Sequence, residues 1–147
     1  MRTQVAASVA LFMMVALVSA PWLESESDQG VPHFNAGPPA AGAKLPPILT
    51  KDQLWGANAQ YPYQTHAYEL AAKIPKVLYQ QPCYCYCQRK GHRSLLDCFK
   101  TDHAATCNIC VREAARADQM HRKGKSADEI RRTIVQGQWA SLGDSHE

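Results

Sequence analysis

Pro82-Cys83-Tyr84-Cys85-Tyr86-Cys87 opens a stretch, PCYCYCQRKGHRSLLDCFKTDHAATCNIC over residues 82–110, that holds all six cysteines of the chain. The spacing runs C-x-C-x-C, then ten residues to Cys98, eight to Cys107 and two to Cys110. A hydrophobic core has no need of three sulfurs this close together. Thiols at such density point to a soft-metal site, a thiol redox site or a set of disulfide staples. The same stretch decides the architecture around it. Leu95 and Phe99 lie four apart, and Cys107 and Cys110 three apart, so a cysteine loop is followed by two helices that can form a hairpin. Cys98 on the first would then approach Cys107 and Cys110 on the second, and all six sulfurs can converge.

The flanks extend this helical reading. A helix is expected over residues 106–123, with Cys107, Cys110, Val111, Ala114 and Asp118 in one register and Gly124 at its C-terminal cap. Ser126-Ala127-Asp128-Glu129 reads as a capping box opening a further helix to about Trp139. Ile130 and Ile134 make its inner face, and Gly137 weakens its last turn. Residues 92–100 are expected to be helical, and residues 76–80 bring Val77, Leu78 and Tyr79 to the cysteine loop. Residues 65–73 read as a helix with Tyr68 and Ala72 on one face, stopped by Pro75. Thr50-Lys51-Asp52-Gln53 is a capping box for a short segment ending near Gly56. Period-2 alternation is scarce, so sheet is not expected. The expectation is an all-α domain of about four short helices with a Cys-rich loop over residues 50–142, without internal repeats. So small a domain has little apolar area to bury, which is the physical case for staples.

Residues 1–20 read as a secretory signal: Arg2 is the sole charge, residues 5–18 form an apolar run broken only by Ser8, and Val18-Ser19-Ala20 ends it with small residues. An extracytoplasmic location, periplasmic or secreted, follows. No membrane span is expected after cleavage, and an uncleaved N-terminal anchor stays open. Residues 21–49 hold six of the nine prolines and three of the eight glycines, so they read as a disordered spacer. Residues 143–147 are a tail. The net charge of +3 is too weak to argue for nucleic acid as a partner. In an oxidising compartment six thiols allow three disulfides, in 15 pairings that spacing alone does not choose among.

Thiolates are soft ligands that select copper(I) and zinc(II) over hard cations. Cys83, Cys85, Cys87, Cys98, Cys107 and Cys110 are the candidate ligands. His92 and His103, in the same window, can add nitrogen, whereas the other four histidines read as surface residues. C-x-C spacing suits sulfurs that bridge neighbouring ions. Cys107-x-x-Cys110 near a helix start would have a lowered thiol pKa. Tyr84 and Tyr86 would face away from the sulfurs in an extended loop and pack on the core. Arg89, Lys90, His92 and Arg93 form a short basic run that reads as a solvated loop or as a bias toward thiolate. Met120 is the only methionine beyond the signal, so a copper site would rest on thiolates. No nucleophile elbow, paired carboxylates or phosphate loop is present, so catalytic residues are not assigned. Three readings stay open: binding of copper or zinc for sequestration or delivery, a thiol–disulfide oxidoreductase acting on a thiol partner protein, and a disulfide-stapled interaction module.

The run Pro82 to Cys87, with Gly91-His92, Ser94-Leu95-Leu96-Asp97-Cys98-Phe99, His103 and Cys107-x-x-Cys110, resembles the PCYCGC-motif or CYCXC family of exported bacterial proteins and selenoproteins. The resemblance covers about residues 70–140. It implies export, in many members as lipoproteins, and, through selenocysteine in some members, a ligating or redox-active cysteine position. The family has no assigned activity. This chain departs from it in lacking a lipoprotein cysteine and in having Tyr86 where the motif has glycine. Tyrosine there implies a loop that does not require positive φ.

Overall fold

The computed structural model of the chain describes residues 30–142. The expected signal over 1–20, the first residues of the spacer and the tail over 143–147 lie outside them. Four α-helices, α1 (Pro62–Lys73), α2 (Pro75–Leu78), α3 (Asn108–Arg122) and α4 (Ala127–Val135), are accompanied by short 3-10 turns before α1 and between α2 and α3, and no strand occurs among the described residues. The fold is all-α, as the patterning indicates. α1 and α4 both pack on α3, which carries Cys110, Ala114 and Ala117 into the centre of the core.

α1 starts at Pro62, earlier than expected, because proline suits the first helical position and the Tyr61 N–H donates to Gln64 Oε1 at 2.8 Å. Its buried face is Gln64, Ala67, Tyr68, Leu70 and Ala71. Ala72 faces solvent, contrary to expectation. The inward turn of Gln64 accounts for this: its Nε2 donates to the carbonyls of Ala57 and Ala105, both at 2.9 Å.

Leu95–Phe99, expected as part of a helix, is a 3-10 turn whose five residues are all buried. Complete burial does not itself decide against a helix; what differs is where the backbone groups find partners. The backbone is instead tied outward. The Leu95 N–H donates to the Gln81 carbonyl at 2.9 Å, and the Asp97 carboxylate accepts the Arg93 N–H at 2.7 Å. A second 3-10 turn, Asp102–Thr106, leads into α3. It is held by Tyr68, whose hydroxyl donates to the Thr101 carbonyl at 2.6 Å and accepts the Ala105 N–H at 3.3 Å. The Tyr68 ring packs edge-on against Phe99, centroids 5.0 Å apart.

Both predicted caps around α3 and α4 form. Gly124 takes φ 76°, and the Lys125 N–H closes back on the Met120 carbonyl at 3.1 Å. The Ser126 N–H donates to Glu129 Oε2 at 2.9 Å, while Ser126 Oγ accepts the Glu129 N–H at 3.3 Å. Ile130 and Ile134 are fully buried. α4 ends at Val135 instead of near Trp139, because Gly137 adopts φ 71° and turns the chain. Trp139 folds back so that its Nε1 donates to the Ile134 carbonyl at 3.2 Å.

Residues 30–49 have no regular element, as their prolines require, yet they are not a free spacer. Leu45, Ile48 and Leu49 pack on the core, Pro32 is fully buried, and the Leu49 N–H donates to the Phe99 carbonyl at 3.0 Å. Asn35 Nδ2 donates to the Tyr79 carbonyl at 2.8 Å, and Arg131 lies 4.6 Å over the Phe34 ring. Composition describes the backbone of this strap correctly but not the apolar residues that hold it down. Among the described residues no helix is long and apolar enough to cross a membrane.

Tyr68→Phe removes the donor to Thr101 and leaves the buried Ala105 N–H without its acceptor. The expected loss is about 1–3 kcal/mol of unfolding free energy, read as a lower urea midpoint at unchanged m-value.

Candidate metal centre

The cysteine loop is a series of turns, not an extended strand. The Tyr86 N–H closes on the Cys83 carbonyl at 3.1 Å, and Cys87–Lys90 forms a 3-10 turn. Tyr86, between them, takes φ 57° and ψ 34°, and it alone among the described non-glycine residues has positive φ. The expectation drawn from tyrosine at this position is therefore wrong: the loop does use the left-handed conformation. Without that bend Cys85 and Cys87 would diverge. Tyr86 accepts the strain with its ring 44% exposed and edge-on to Tyr84 at 6.2 Å. Tyr84 is half-buried against Trp139, centroids 6.4 Å apart.

Coiled this way, the loop aims its sulfurs at the first turn of α3. Cys83, Cys85, Cys87, Cys98 and Cys110 form one group whose sulfurs all lie within 4.8 Å of one another. Within it Cys83 Sγ is 3.5 Å from Cys110 Sγ, Cys110 Sγ is 3.6 Å from Cys85 Sγ, and Cys98 Sγ is 3.7 Å from Cys87 Sγ. Cys85, His103, Cys107 and Cys110 form a second group at the same 4.8 Å limit. The two groups share Cys85 and Cys110. Cys83, Cys87, Cys98 and Cys110 are buried, while Cys85, His103 and Cys107 are half-exposed. Cys85 and Cys87 are joined by a disulfide, and Cys83, Cys98, Cys107 and Cys110 are free.

All six cysteines thus converge, but Cys107 arrives differently from the expectation. It is the N-cap of α3, outside the helical register of Cys110, which puts it at the rim instead of in the core. His103 joins the site, its Nε2 3.0 Å from Cys87 Sγ and 3.7 Å from Cys85 Sγ. His92 stands beside it, Nδ1 3.4 Å from Cys98 Sγ, with its ring edge-on to His103 at 5.5 Å, but belongs to neither group. Arg89 and Lys90 are exposed, in keeping with a solvated loop.

The sulfurs share their protons unevenly. Cys107 is lowered from the ordinary 9.0 to about 5 by the neighbouring Cys110 thiol, with help from the Cys110 and Ile109 backbone N–H groups at the helix start. The Cys110 and Cys83 thiols lower Cys98 to about 6. Cys110 itself is pushed far up by Cys107, Cys83 and Cys98. Cys83 is drawn down by Cys110 but driven up more by Cys98 and burial, ending at about 12. Burial lowers His103, leaving a neutral imidazole with a lone pair to donate.

Sequence reasoning missed Glu113. It is fully buried one turn after Cys110, and its Oε1 accepts the Tyr84 N–H at 2.8 Å. Burial, then the charge of Cys83, holds its carboxyl well above the usual range. Oε2 has no hydrogen-bond partner. The available signal was the stripe Cys110-Glu113-Ala114-Ala117, in which a carboxylate interrupts small residues on the inner face of α3.

The family described as a protein of unknown function with PCYCGC motif matches residues 50–141. No curated protein and no solved structure is detectably similar.

Tyr86→Gly relieves about 1–2 kcal/mol of left-handed strain and gives back part of it as extra freedom in the unfolded chain, so a net gain of about 0.5–1 kcal/mol is expected in urea melts. Tyr86→Val should instead cost about 1 kcal/mol or more, since a branched β-carbon tolerates this conformation worst.

In the metal-free protein Cys107 should alkylate at a rate that climbs through about pH 5 and is flat from neutral pH upward, measured by iodoacetamide labelling and peptide mass spectrometry. The sign follows from a folded value below the unfolded one. The stability Cys107 lends is complete above about pH 9 and is lost as pH falls through about 5.

Proposed function

The chain belongs to the PCYCGC-motif family, and from that membership and the sulfur geometry we propose that it is an exported protein that binds soft metal ions, copper(I) or zinc(II), through clustered thiolates, for sequestration or delivery. The observation that carries the reading is the sharing of Cys85 and Cys110 by two ligand groups. A single ion needs at most four ligands, whereas bridging sulfurs are the mark of a site for more than one.

The donor set fits such ions. Zinc–sulfur bonds of about 2.3 Å in a tetrahedron set the sulfurs about 3.8 Å apart, and the separations of 3.5, 3.6 and 3.7 Å lie close to that. The protonation pattern agrees. Five sulfurs within 4.8 Å of one another cannot all be thiolates unless cations replace the protons that Cys83 and Cys110 hold. His103 supplies a neutral nitrogen at the rim. The Cys85–Cys87 disulfide removes two ligands at once, so the binding form is the reduced one.

The staple alternative draws no support from these sulfurs. The one bond joins cysteines two positions apart, and a loop that short restricts the unfolded chain very little. Four cysteines are free.

A second reading, thiol–disulfide exchange, rests on the two free sulfurs beside that bond: Cys83 Sγ is 3.2 Å from Cys85 Sγ, and Cys98 Sγ is 3.7 Å from Cys87 Sγ. In that reaction two substrate thiols are oxidised to a disulfide, Cys85 and Cys87 return to thiols, and the two protons move to them.

Reduced protein loaded anaerobically with copper(I) or zinc(II) and desalted should retain more than one ion per chain by elemental analysis. Cys85→Ser and Cys110→Ser should each lose more metal than Cys98→Ser, since only the former belong to both groups. Retention should fall as pH is lowered, because each thiolate is then contested by a proton. Reduced protein that keeps no metal, together with oxidised protein that converts two thiols of a substrate into a disulfide while Cys85 and Cys87 are recovered as thiols, would replace the first reading with the second.

A further inference from the structure

The two ligand groups differ in access, and the difference has a direction. Of the rim group, Cys85, His103 and Cys107 are half-exposed and only Cys110 is buried. Of the inner group, only Cys85 reaches solvent. We infer that the rim group is an exchange port and the inner group a store, with ions passing between them across the shared Cys85 and Cys110, and that the port trades ions with thiolate-bound donors and acceptors. This rests on the metal-binding reading above.

The route is physical. An ion held at the rim by Cys107 and His103 already touches the two sulfurs that also line the store. Moving inward requires only that a bond to Cys83 or Cys98 form as a bond to Cys107 or His103 breaks. No electron is transferred, the incoming sulfur releases its proton, and the ion is never without ligands. Delivery from outside is the same exchange one step earlier. A donor thiolate leaves as the Cys107 thiolate binds, and the donor sulfur takes up a proton.

The surroundings favour one kind of donor. Arg89 and Lys90 are exposed on the turn that begins at Cys87, and the charge of Lys90 reaches His103. A copper(I) ion held by two thiolates is an anion, so these side chains attract the thiolate-bound ion and not the bare cation.

The test uses the full reduced chain and copper(I) presented either by glutathione or in acetonitrile, with uptake followed by stopped-flow absorbance of the copper–thiolate band. Losing even a supporting partner of a metal ligand costs about 10- to 100-fold in affinity, so Cys107→Ser should slow uptake from glutathione by about tenfold or more. Serine is a good N-cap, so this variant should fold, as circular dichroism would verify. Cys107→His, which restores a ligand, should recover the rate. Lys90→Glu should slow uptake from the anionic glutathione complex and not from acetonitrile. Equal rates for Cys107→Ser and the native chain, or no recovery with histidine, would overturn the port while leaving the metal reading intact. Failure of the native chain to retain any copper at equilibrium would overturn the reading beneath it, and the port with it.

Discussion

The 2.8 Å hydrogen bond from the Tyr84 N–H to Glu113 ties the cysteine loop to the middle of α3, and the site depends on it. Cys83 and Cys85 flank Tyr84 in the chain. Cys110 lies one turn before Glu113 on the helix. One part-buried bond therefore sets the distance between the sulfurs of the loop and those of the helix. Burial, which raises the pKa of the Glu113 carboxyl, opposes a fixed negative charge beside the sulfurs. A lysine or arginine at 113 would have no acceptor to offer, and an alanine would leave the Tyr84 N–H unpaired in the interior.

The rest of the domain serves to hold the other two approaches. Tyr68 fixes the turn that carries His103 and delivers Cys107 to the start of α3. The bond from Leu95 to Gln81 fixes the turn that carries Cys98. In each case a backbone group bonds outside its own element, and at Leu95–Phe99 a 3-10 turn occupies a place where a helix was expected. The core is correspondingly unusual in content. Cys83, Cys87, Cys98 and Cys110 sit among its buried residues, so part of what would be aliphatic packing is sulfur.

What was legible in the chain, and what was not, follows from how local each signal is. The Ser126 box, Gly124 and the Ile130/Ile134 pair state their structure within one or two turns, and all three hold. The convergence of the cysteines was legible because their spacing confines them to one hairpin-sized segment. Cys107 was placed inside the helix because the expected start, residue 106, lies two positions before the actual one, and the spacing to Cys110 does not separate an N-cap from a first-turn residue. Leu95–Phe99 reads as amphipathic only if one side meets water, and neither does. Ala72 was assigned inward by spacing from Tyr68, but a polar residue, Gln64, claimed that side through bonds to carbonyls distant in sequence. Tyr86 was read through its intrinsic preference, which the surrounding sulfurs and turns override. Glu113 was invisible for the opposite reason: a charged residue on a helix is usually solvated, and its partner is 29 positions away.

The strap over residues 30–49 means that the segment shared with the family and the cooperative folding unit are different lengths. A chain trimmed to the family match at residue 50 would keep every cysteine. It would also strip Leu45, Ile48 and Leu49 from the core surface and deprive the Phe99 and Tyr79 carbonyls of their donors. Phe99 adjoins Cys98, and Tyr79 lies four residues before Cys83, so the damage would fall next to the sulfurs and not at a remote edge. For anyone choosing truncation limits, the boundary drawn by homology is the wrong place to cut, and one upstream of Pro32 is the right one.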